Sequence, residues 1–300
     1  MTLLARRISP IASTLFAYGP AVRAMGILGL ALLLGHAARA QTILGSTGSY
    51  AVMAGSTVTI NGATTINGNL GAANIAGAGS VTYTPTGASV GAITVQNQTD
   101  FTKAFNGLAA MPVTRDLSGL ILGTTAGAII LTPGVYKFTS TAQLTGTLTL
   151  DAQNQSNAFW VFQIGTTLDT AAGAKVVFTN LAANSVANDG LFWQVGSTTV
   201  LGADTTFEGN VLGGTTFTIG ANATINHGRV LTGTDVMTFA GGNTIDFIAA
   251  DSGYSGGLAF DGGGSNIVAV PEPATTSLLI AGFSGLFIGF RRIRRKFSAR

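Results

Sequence analysis

The sequence predicts a mainly β protein wound as a β-solenoid, with one long α-helix packed alongside. Short runs rich in β-branched and aromatic residues recur along the chain, among them Thr147 to Leu150, Phe159 to Ile164, Lys175 to Phe178, Leu191 to Val195 and Gly228 to Leu231. Gly, Asn and Asp separate them, which is the signature of strands joined by tight turns. The runs also repeat. Gly209-Asn210-Val211-Leu212-Gly213 resembles Gly228-Arg229-Val230-Leu231-Thr232, nineteen residues later, and Phe162-Gln163-Ile164-Gly165 resembles Trp193-Gln194-Val195-Gly196. A repeat this short, made of strands and turns, fits one coil of a solenoid. Outward residues of successive coils then line up about 4.7–4.9 Å apart.

Taken in order, the first element is a targeting segment. Arg6, Arg7 and Arg23 precede an apolar run from Ala24 to Gly35, and Ala38-Arg39-Ala40 has the A-x-A form of a cleavage site, so residues 1–40 read as a secretory signal. Residues 41–248 carry the strand pattern. The helix is expected from a Thr99-Asp100 cap, with Phe101, Ala104, Phe105 and Leu108 on one stripe and Met111-Pro112 at its end. Gly107 is expected to weaken it by up to about 1 kcal/mol relative to Ala. Residues 249–270 are Gly-rich and read as a flexible spacer. Residues 271–300 hold Pro271-Glu272-Pro273, an apolar stretch from Ala274 to Phe290 at the lower limit of a spanning helix, and then Arg291, Arg292, Arg294, Arg295 and Lys296. The basic cluster stays cytoplasmic by the positive-inside rule, leaving the body of the protein outside.

The whole chain is +3, but ten of its fifteen Lys and Arg residues lie in the two ends. Residues 41–270 keep five basic residues (Lys103, Arg115, Lys137, Lys175, Arg229) against eleven acidic ones, a net charge of −6. No nucleic-acid partner is expected of such a surface. Cysteine is absent, which excludes thiol chemistry and cysteine-bound zinc, and a domain of this size can bury enough surface without disulfides. No metal or cofactor is expected.

Catalytic motifs are sparse. Gly253-Tyr254-Ser255-Gly256-Gly257 matches G-x-S-x-G, but it sits in the Gly-rich segment, and His227 is the one histidine outside the signal. His227 reads as a structural residue at a coil corner. Asp261-Gly262-Gly263-Gly264-Ser265-Asn266 lacks the alternating ligands of a calcium loop. Asp169, Asp204, Glu208, Asp235 and Asp246 fall at different coil positions, unlike the paired carboxylates of a glycosidase. Trp160 and Trp193 lie in apolar strands and read as core. The chain is expected not to be an enzyme.

What remains is a set of Gly-Thr-Thr stretches. Strand alternation places Phe217 and Ile219 inside and Thr216 and Thr218 outside; Leu168 inside puts Thr167 and Asp169 outside; Leu201 inside puts Thr198 and Val200 outside. The last coil, Thr234-Asp235-Val236-Met237-Thr238, has one residue too many and reads as a bulge. Stacked, these segments make a ladder of hydroxyl and methyl groups with little charge. A plain solvated sheet face accounts for the same threonines, because Thr has high β-propensity.

Several segments in order resemble the microbial ice-binding proteins. They are Leu44-Gly45-Ser46-Thr47-Gly48-Ser49-Tyr50-Ala51-Val52, Thr65-Ile66-Asn67-Gly68-Asn69-Leu70-Gly71, Leu131-Thr132-Pro133-Gly134-Val135-Tyr136, Trp160-Val161-Phe162-Gln163-Ile164, Phe192-Trp193-Gln194-Val195 and Phe207-Glu208-Gly209-Asn210-Val211-Leu212. The resemblance spans roughly Thr42 to Phe247. It implies a right-handed, discontinuous β-helix of triangular section with a flanking helix, whose first strands and last coils meet in space. It also implies that one face adsorbs to an ice crystal surface. Thr215-Thr216-Phe217-Thr218 matches the family's Thr-small-x-Thr pattern with Thr for the small residue, and Thr57, Thr59, Thr141, Thr167, Thr198, Thr234 and Thr238 complete the expected site. Asp169, Val200 and Asp235 depart from the pattern, which implies modest activity. The C-terminal sequence resembles the PEP-CTERM sorting signal, implying processing by an exosortase and a secreted or cell-surface protein, transiently anchored by its C-terminal helix. The other reading that stays open is an extracellular matrix or biofilm protein, either structural or binding exopolysaccharide.

Overall fold

The computed structural model describes residues 43–84, 90–124, 129–183, 185–247 and 254–270. The expected signal and the sorting tail with Pro271, Glu272 and Pro273 lie outside the described residues. Three parallel sheets of nine, eight and eight strands form the three faces of a solenoid. One coil shows the plan: Asn210–Gly213 lies on face 1, Phe217–Ile219 on face 2 and Thr224–Asn226 on face 3, and Val230–Thr232 returns to face 1 beside the first strand. Alternation drives the winding. On faces 2 and 3 the inward residues are buried and mostly apolar, as in Phe217, Ile219 and Ile225, while the residues between them meet solvent.

The solenoid is discontinuous. Tyr50–Met53, Thr57–Ile60 and Thr64–Asn67 pair in parallel with Val230–Thr232, Met237–Phe239 and Asn243–Asp246, so the N-terminal coil stacks on the C-terminal one. A further coil, Asn69–Gly71, Asn74–Ala76 and Val81–Thr84, stacks on that. The chain then runs through the helix and restarts at the opposite end with Arg115–Asp116 and Ile121–Leu122. Arg229 fastens the junction. Its side chain is 2% exposed, donates from Nε and Nη2 to the Gly48 carbonyl (3.1 and 2.9 Å) and from Nη1 to Asn210 Oδ1 (2.6 Å), and lies 3.8 Å from the Phe247 ring centroid.

Face 1 differs from the other two. Gly190–Val195 is buried at every position, because its inward residues meet the solenoid core and its outward ones meet the helix α1, Val95–Ala109. Phe101, Ala104 and Leu108 of α1 pack on Met53, Val161, Phe192, Leu212 and Leu231. Trp160 and Trp193 are fully buried, as expected; Trp193 stacks on Phe162 with ring centroids 4.0 Å apart, and the two indole N–H groups donate to the Leu131 and Glu208 carbonyls.

Two expectations need correction. The helix begins earlier than the Thr99-Asp100 cap. Thr94 caps it, accepting from the Asn97 N–H at 3.2 Å while Asn97 Oδ1 accepts from the Thr94 N–H at 2.8 Å, a reciprocal box made with Asn in place of Glu. Asp100 instead accepts from the Ser46 N–H at 2.8 Å. The Gly-rich segment is not all spacer either. Leu258–Phe260 and Ile267–Ala269 form an antiparallel hairpin, Leu258 and Ile267 are buried with the α1 residues, and the Lys103 ammonium lies 4.1 Å from the Phe260 ring centroid. Gly107, which weakens the helix in isolation, makes room for this: a Cβ there would stand 2.8 Å from Ile267 Cδ1.

Candidate functional site

Face 2 carries the predicted ladder, and neither the helix nor the hairpin covers it. Its strands run, in spatial order, Asn74–Ala76, Thr57–Ile60, Met237–Phe239, Phe217–Ile219, Thr199–Leu201, Leu168–Thr170, Ala142–Leu144 and Ile121–Leu122. The register fixes one outward column as Ala76, Thr59, Thr238, Thr218, Val200, Asp169, Gln143 and Ile121. Two residues before the positions from Ala76 to Gln143, a second column reads Asn74, Thr57, Val236, Thr216, Thr198, Thr167 and Thr141. The second is thus threonine in five of these seven coils. The first is threonine only in the three coils of Thr59, Thr238 and Thr218.

A third set of hydroxyls stands at the corner before face 2. The Thr215 N–H donates to the Ser197 carbonyl and the Ser197 N–H to the Thr166 carbonyl, which stacks these residues along the axis, and the Thr166 N–H continues the line to Ser140. Side-chain contacts follow the same line, with Ser197 Oγ and Thr215 Oγ1 3.4 Å apart. Thr215 therefore belongs to this corner line and not to the two strand columns. The glycines that mark the repeats sit just before it. A Cβ on Gly214 would collide with the Gly196 carbonyl oxygen, one on Gly196 with that of Gly165, and one on Gly55 with that of Gly233. The corner closes because these positions have no side chain.

The extra residue in the last coil falls where the count predicted. Met237 pairs with Phe217, so Val236 occupies the column position that Thr216 holds in the neighbouring coil. Thr234 is pushed out of the ladder, exposed at the corner with its hydroxyl 3.5 Å from the Gly214 carbonyl oxygen. Thr199 turns inward and is fully buried at a position filled by Phe217, Met237, Leu168 and Ala142 in other coils. Of the ten predicted threonines, Thr57, Thr59, Thr141, Thr167, Thr198, Thr216, Thr218 and Thr238 lie in the two columns; Thr215 lies beside them and Thr234 outside them.

Sequence reading missed a further threonine column, on face 3. Thr206, Thr224, Thr244, Thr65 and Thr82 stand in register on five successive strands, and the column continues through Lys175 to Thr147. The strand alternation of each segment shows its Thr facing out, but no Gly-Thr-Thr stretch marks it.

The acidic residues do not converge. Among the described residues no group of three or more His, Asp or Glu side chains is placed to hold a metal ion. Ser255 is 1% exposed and paired through its backbone to Gly190, which removes the G-x-S-x-G reading. His227 Nδ1 lies 3.2 Å from Glu208 Oε2, and its ring stands edge-on to Tyr254, a structural corner as expected. Asp189 is fully buried, and burial raises its carboxyl pKa above the usual range while the N–H groups that donate to it, such as that of Ala158 at 2.9 Å, hold it back.

A solenoid with one face sealed by a helix and another lined by in-register hydroxyl and methyl groups is built as a rigid display surface. Its sequence matches the Ice-binding-like family model over residues 52–245, and the chain belongs to that family. It is 35% identical over 261 residues to an ice-binding protein of Nostoc sp. (strain HG1), covering 85% of this chain and 88% of that one. Among solved structures, an ice-binding protein from an Antarctic biological consortium aligns with a TM-score of 0.61 at 33% identity, covering 70% of this chain and 92% of that chain. One from the Antarctic ascomycete Antarctomyces psychrotrophicus aligns with a TM-score of 0.61 at 32% identity, covering 68% and 97%. The PEP-CTERM protein-sorting motif matches residues 269–295, which points to a secreted or cell-surface protein. Among the described residues no helix is long and apolar enough to cross a membrane, and the apolar stretch 274–290 lies outside them.

Proposed function

We propose that this protein binds ice by adsorption through face 2, and that it inhibits ice growth or recrystallisation. The observation that carries the reading is the pair of in-register threonine columns on a face that the helix leaves open. Methyl groups of Thr216, Thr218 and Thr238 hold surface waters in cages while the hydroxyls anchor them, so the water layer freezes onto the crystal. Parallel strands set the repeat along the coil axis at about 4.8 Å. Threonine is restricted at χ1, so ordering these side chains against ice costs little entropy. Growth stops at the adsorbed patch.

The sorting motif supports export and exosortase processing, with transient anchoring by the segment 274–290 and release or retention at the cell surface. A role in an extracellular matrix is compatible with ice adsorption. Exopolysaccharide binding has less to support it: sugar-binding faces use exposed aromatic rings, and the exposed large apolar residues among those described are aliphatic.

The test is thermal hysteresis and recrystallisation inhibition of the full chain, then of Thr216→Tyr. Ice growth unaffected by the wild-type protein defeats the proposal. Full activity in the variant, with its fold intact, moves the adsorbing surface away from face 2.

A further inference from the structure

We propose that face 3 is a second ice-adsorbing surface, so that the protein engages ice with two adjoining faces at one end of the solenoid. The inference rests on the ice-binding reading and adds a site to it.

The first observation is the column itself. Thr206, Thr224, Thr244, Thr65 and Thr82 form an uninterrupted ladder across five strands, a span of about 19 Å at the spacing of paired strands. The longest uninterrupted run in the columns of face 2 is shorter. The ladder is assembled from two distant parts of the chain, because Thr65 and Thr82 join it only through the pairing of Thr64–Asn67 with Asn243–Asp246. The side chains inside these strands, Phe207, Ile225, Ile245 and Ile66, are fully buried and fix the backbone. Among the described residues, α1 and the hairpin bury their apolar residues on face 1 and not on this face.

The second observation is that three successive coils carry threonine on both faces. The coils that place Thr59, Thr238 and Thr218 on face 2 are the coils that place Thr65, Thr244 and Thr224 on face 3. Towards the opposite end the Thr218 column and the face 3 ladder both lose threonines, while the second column of face 2 keeps Thr198, Thr167 and Thr141. The Thr218 column of face 2 changes to Val200, Asp169, Gln143 and Ile121, while the face 3 ladder changes to Lys175 in the coil of Asp169 and returns to threonine at Thr147.

The third observation is the edge between the faces. In the threonine-bearing coils it consists of Asn61-Gly62-Ala63, Ala240-Gly241-Gly242, Gly220-Ala221-Asn222 and Gly202-Ala203-Asp204. These short side chains keep the edge low, and backbone hydrogen bonds from Asn222 to Gly241 and from Gly242 to Ala63 lock it. Beside the face 3 ladder, the next outward column is also held still. Asn226 Nδ2 donates to Glu208 Oε1 at 3.2 Å, and Asn67 Nδ2 donates to Asp246 Oδ1 at 2.7 Å. Both faces are therefore preorganised and meet at a blunt wedge. Two surfaces set at an angle adsorb to differently oriented crystal planes.

The experiment grows a single ice crystal in a solution of the fluorescently labelled full chain and maps which planes take up label. It compares wild type, Thr218→Tyr for face 2, Thr224→Tyr combined with Thr244→Tyr for face 3, and all three together. The expected result is label on more than one set of planes for wild type, loss of a different set in each single-face variant, and loss of all label in the combination. Thr82→Tyr, exposed on the edge strand, repeats the face 3 test where an added ring has no neighbour on one side. Equal unfolding midpoints confirm that the variants fold. Label and thermal hysteresis unchanged in both face 3 variants, with Thr218→Tyr inactive, overturn the second site and leave face 2 standing. The reverse pattern supports face 3 and overturns face 2. No label with wild type overturns both.

Discussion

Thr59 stands directly opposite Thr238 in the register of face 2, although they come from opposite ends of the folded domain. Thr238 in turn pairs with Thr218. The longest uninterrupted stretch of that threonine column thus exists because the N-terminal strands lie on the last coil and not on the coil that follows them in sequence. Fold topology and the display surface are one arrangement, and the Arg229 link to Gly48 is part of the surface even though it touches none of it.

The gaps in the ladder predict a gain of activity. Val200 and Asp169 follow Thr218 in the same column, so Val200→Thr with Asp169→Thr would extend the threonine run from three strands to five. Both positions are partly exposed, and Thr suits a strand, so the unfolding midpoint should move little. Thermal hysteresis at equal concentration should rise severalfold. No rise would mean that this part of face 2 does not meet ice.

The glycine corner predicts position-specific intolerance. Gly196→Ala forces a methyl group against the Gly165 carbonyl oxygen, and overpacking of this kind costs about 1–3 kcal/mol. The shift also displaces Thr198 from its column, so thermal hysteresis should fall with stability. Gly79→Ala has open space around the added Cβ and should change neither. Urea denaturation of the two variants beside wild type measures the contrast.

Much of the solenoid was legible in the chain because its logic is local. Alternation in Phe217-Thr218-Ile219 and the apolar run Phe159 to Ile164 report facing and burial without knowledge of the partners. The extra residue before Met237 was legible for the same reason, as a count between a corner glycine and an inward residue. The face 3 ladder was hidden because alignment across coils depends on corner length and on which coils meet. Thr65 beside Thr244 is a statement about the chain junction, not about either segment. The helix start was missed because its cap uses Asn97 in the role that Glu or Gln usually fills. The Gly-rich hairpin was missed because Leu258 and Ile267 are isolated apolar residues whose burial depends on the helix they meet.

The junction predicts a stability defect coupled to function. Arg229→Leu keeps an apolar stem against Phe247 but removes the donors to the Gly48 carbonyl and to Asn210 Oδ1. A buried acceptor left without its donor costs roughly 1–3 kcal/mol. The unfolding midpoint should drop, and thermal hysteresis should drop with it as Thr57 and Thr59 lose their fixed place beside the last coil. A variant with wild-type stability would remove Arg229 from this role.

Asp189 predicts how stability depends on pH. Burial raises its folded pKa above the unfolded value near 3.8, against the opposing effect of the Ala158 N–H and its other donors. Between these two pKa values the folded protein binds more protons at this site than the unfolded chain, so stability falls as pH rises. The contribution of the neutral acid is full below the unfolded pKa and is lost as pH passes through the raised one. Asp189→Asn keeps a carbonyl oxygen for the Ala158 N–H and cannot ionise. The variant should therefore gain stability relative to wild type on going from about pH 3.5 to about pH 7, read as the difference between the two denaturation midpoints at each pH. A difference that stays constant across that range would show that Asp189 ionises as readily in the folded protein as in the unfolded chain.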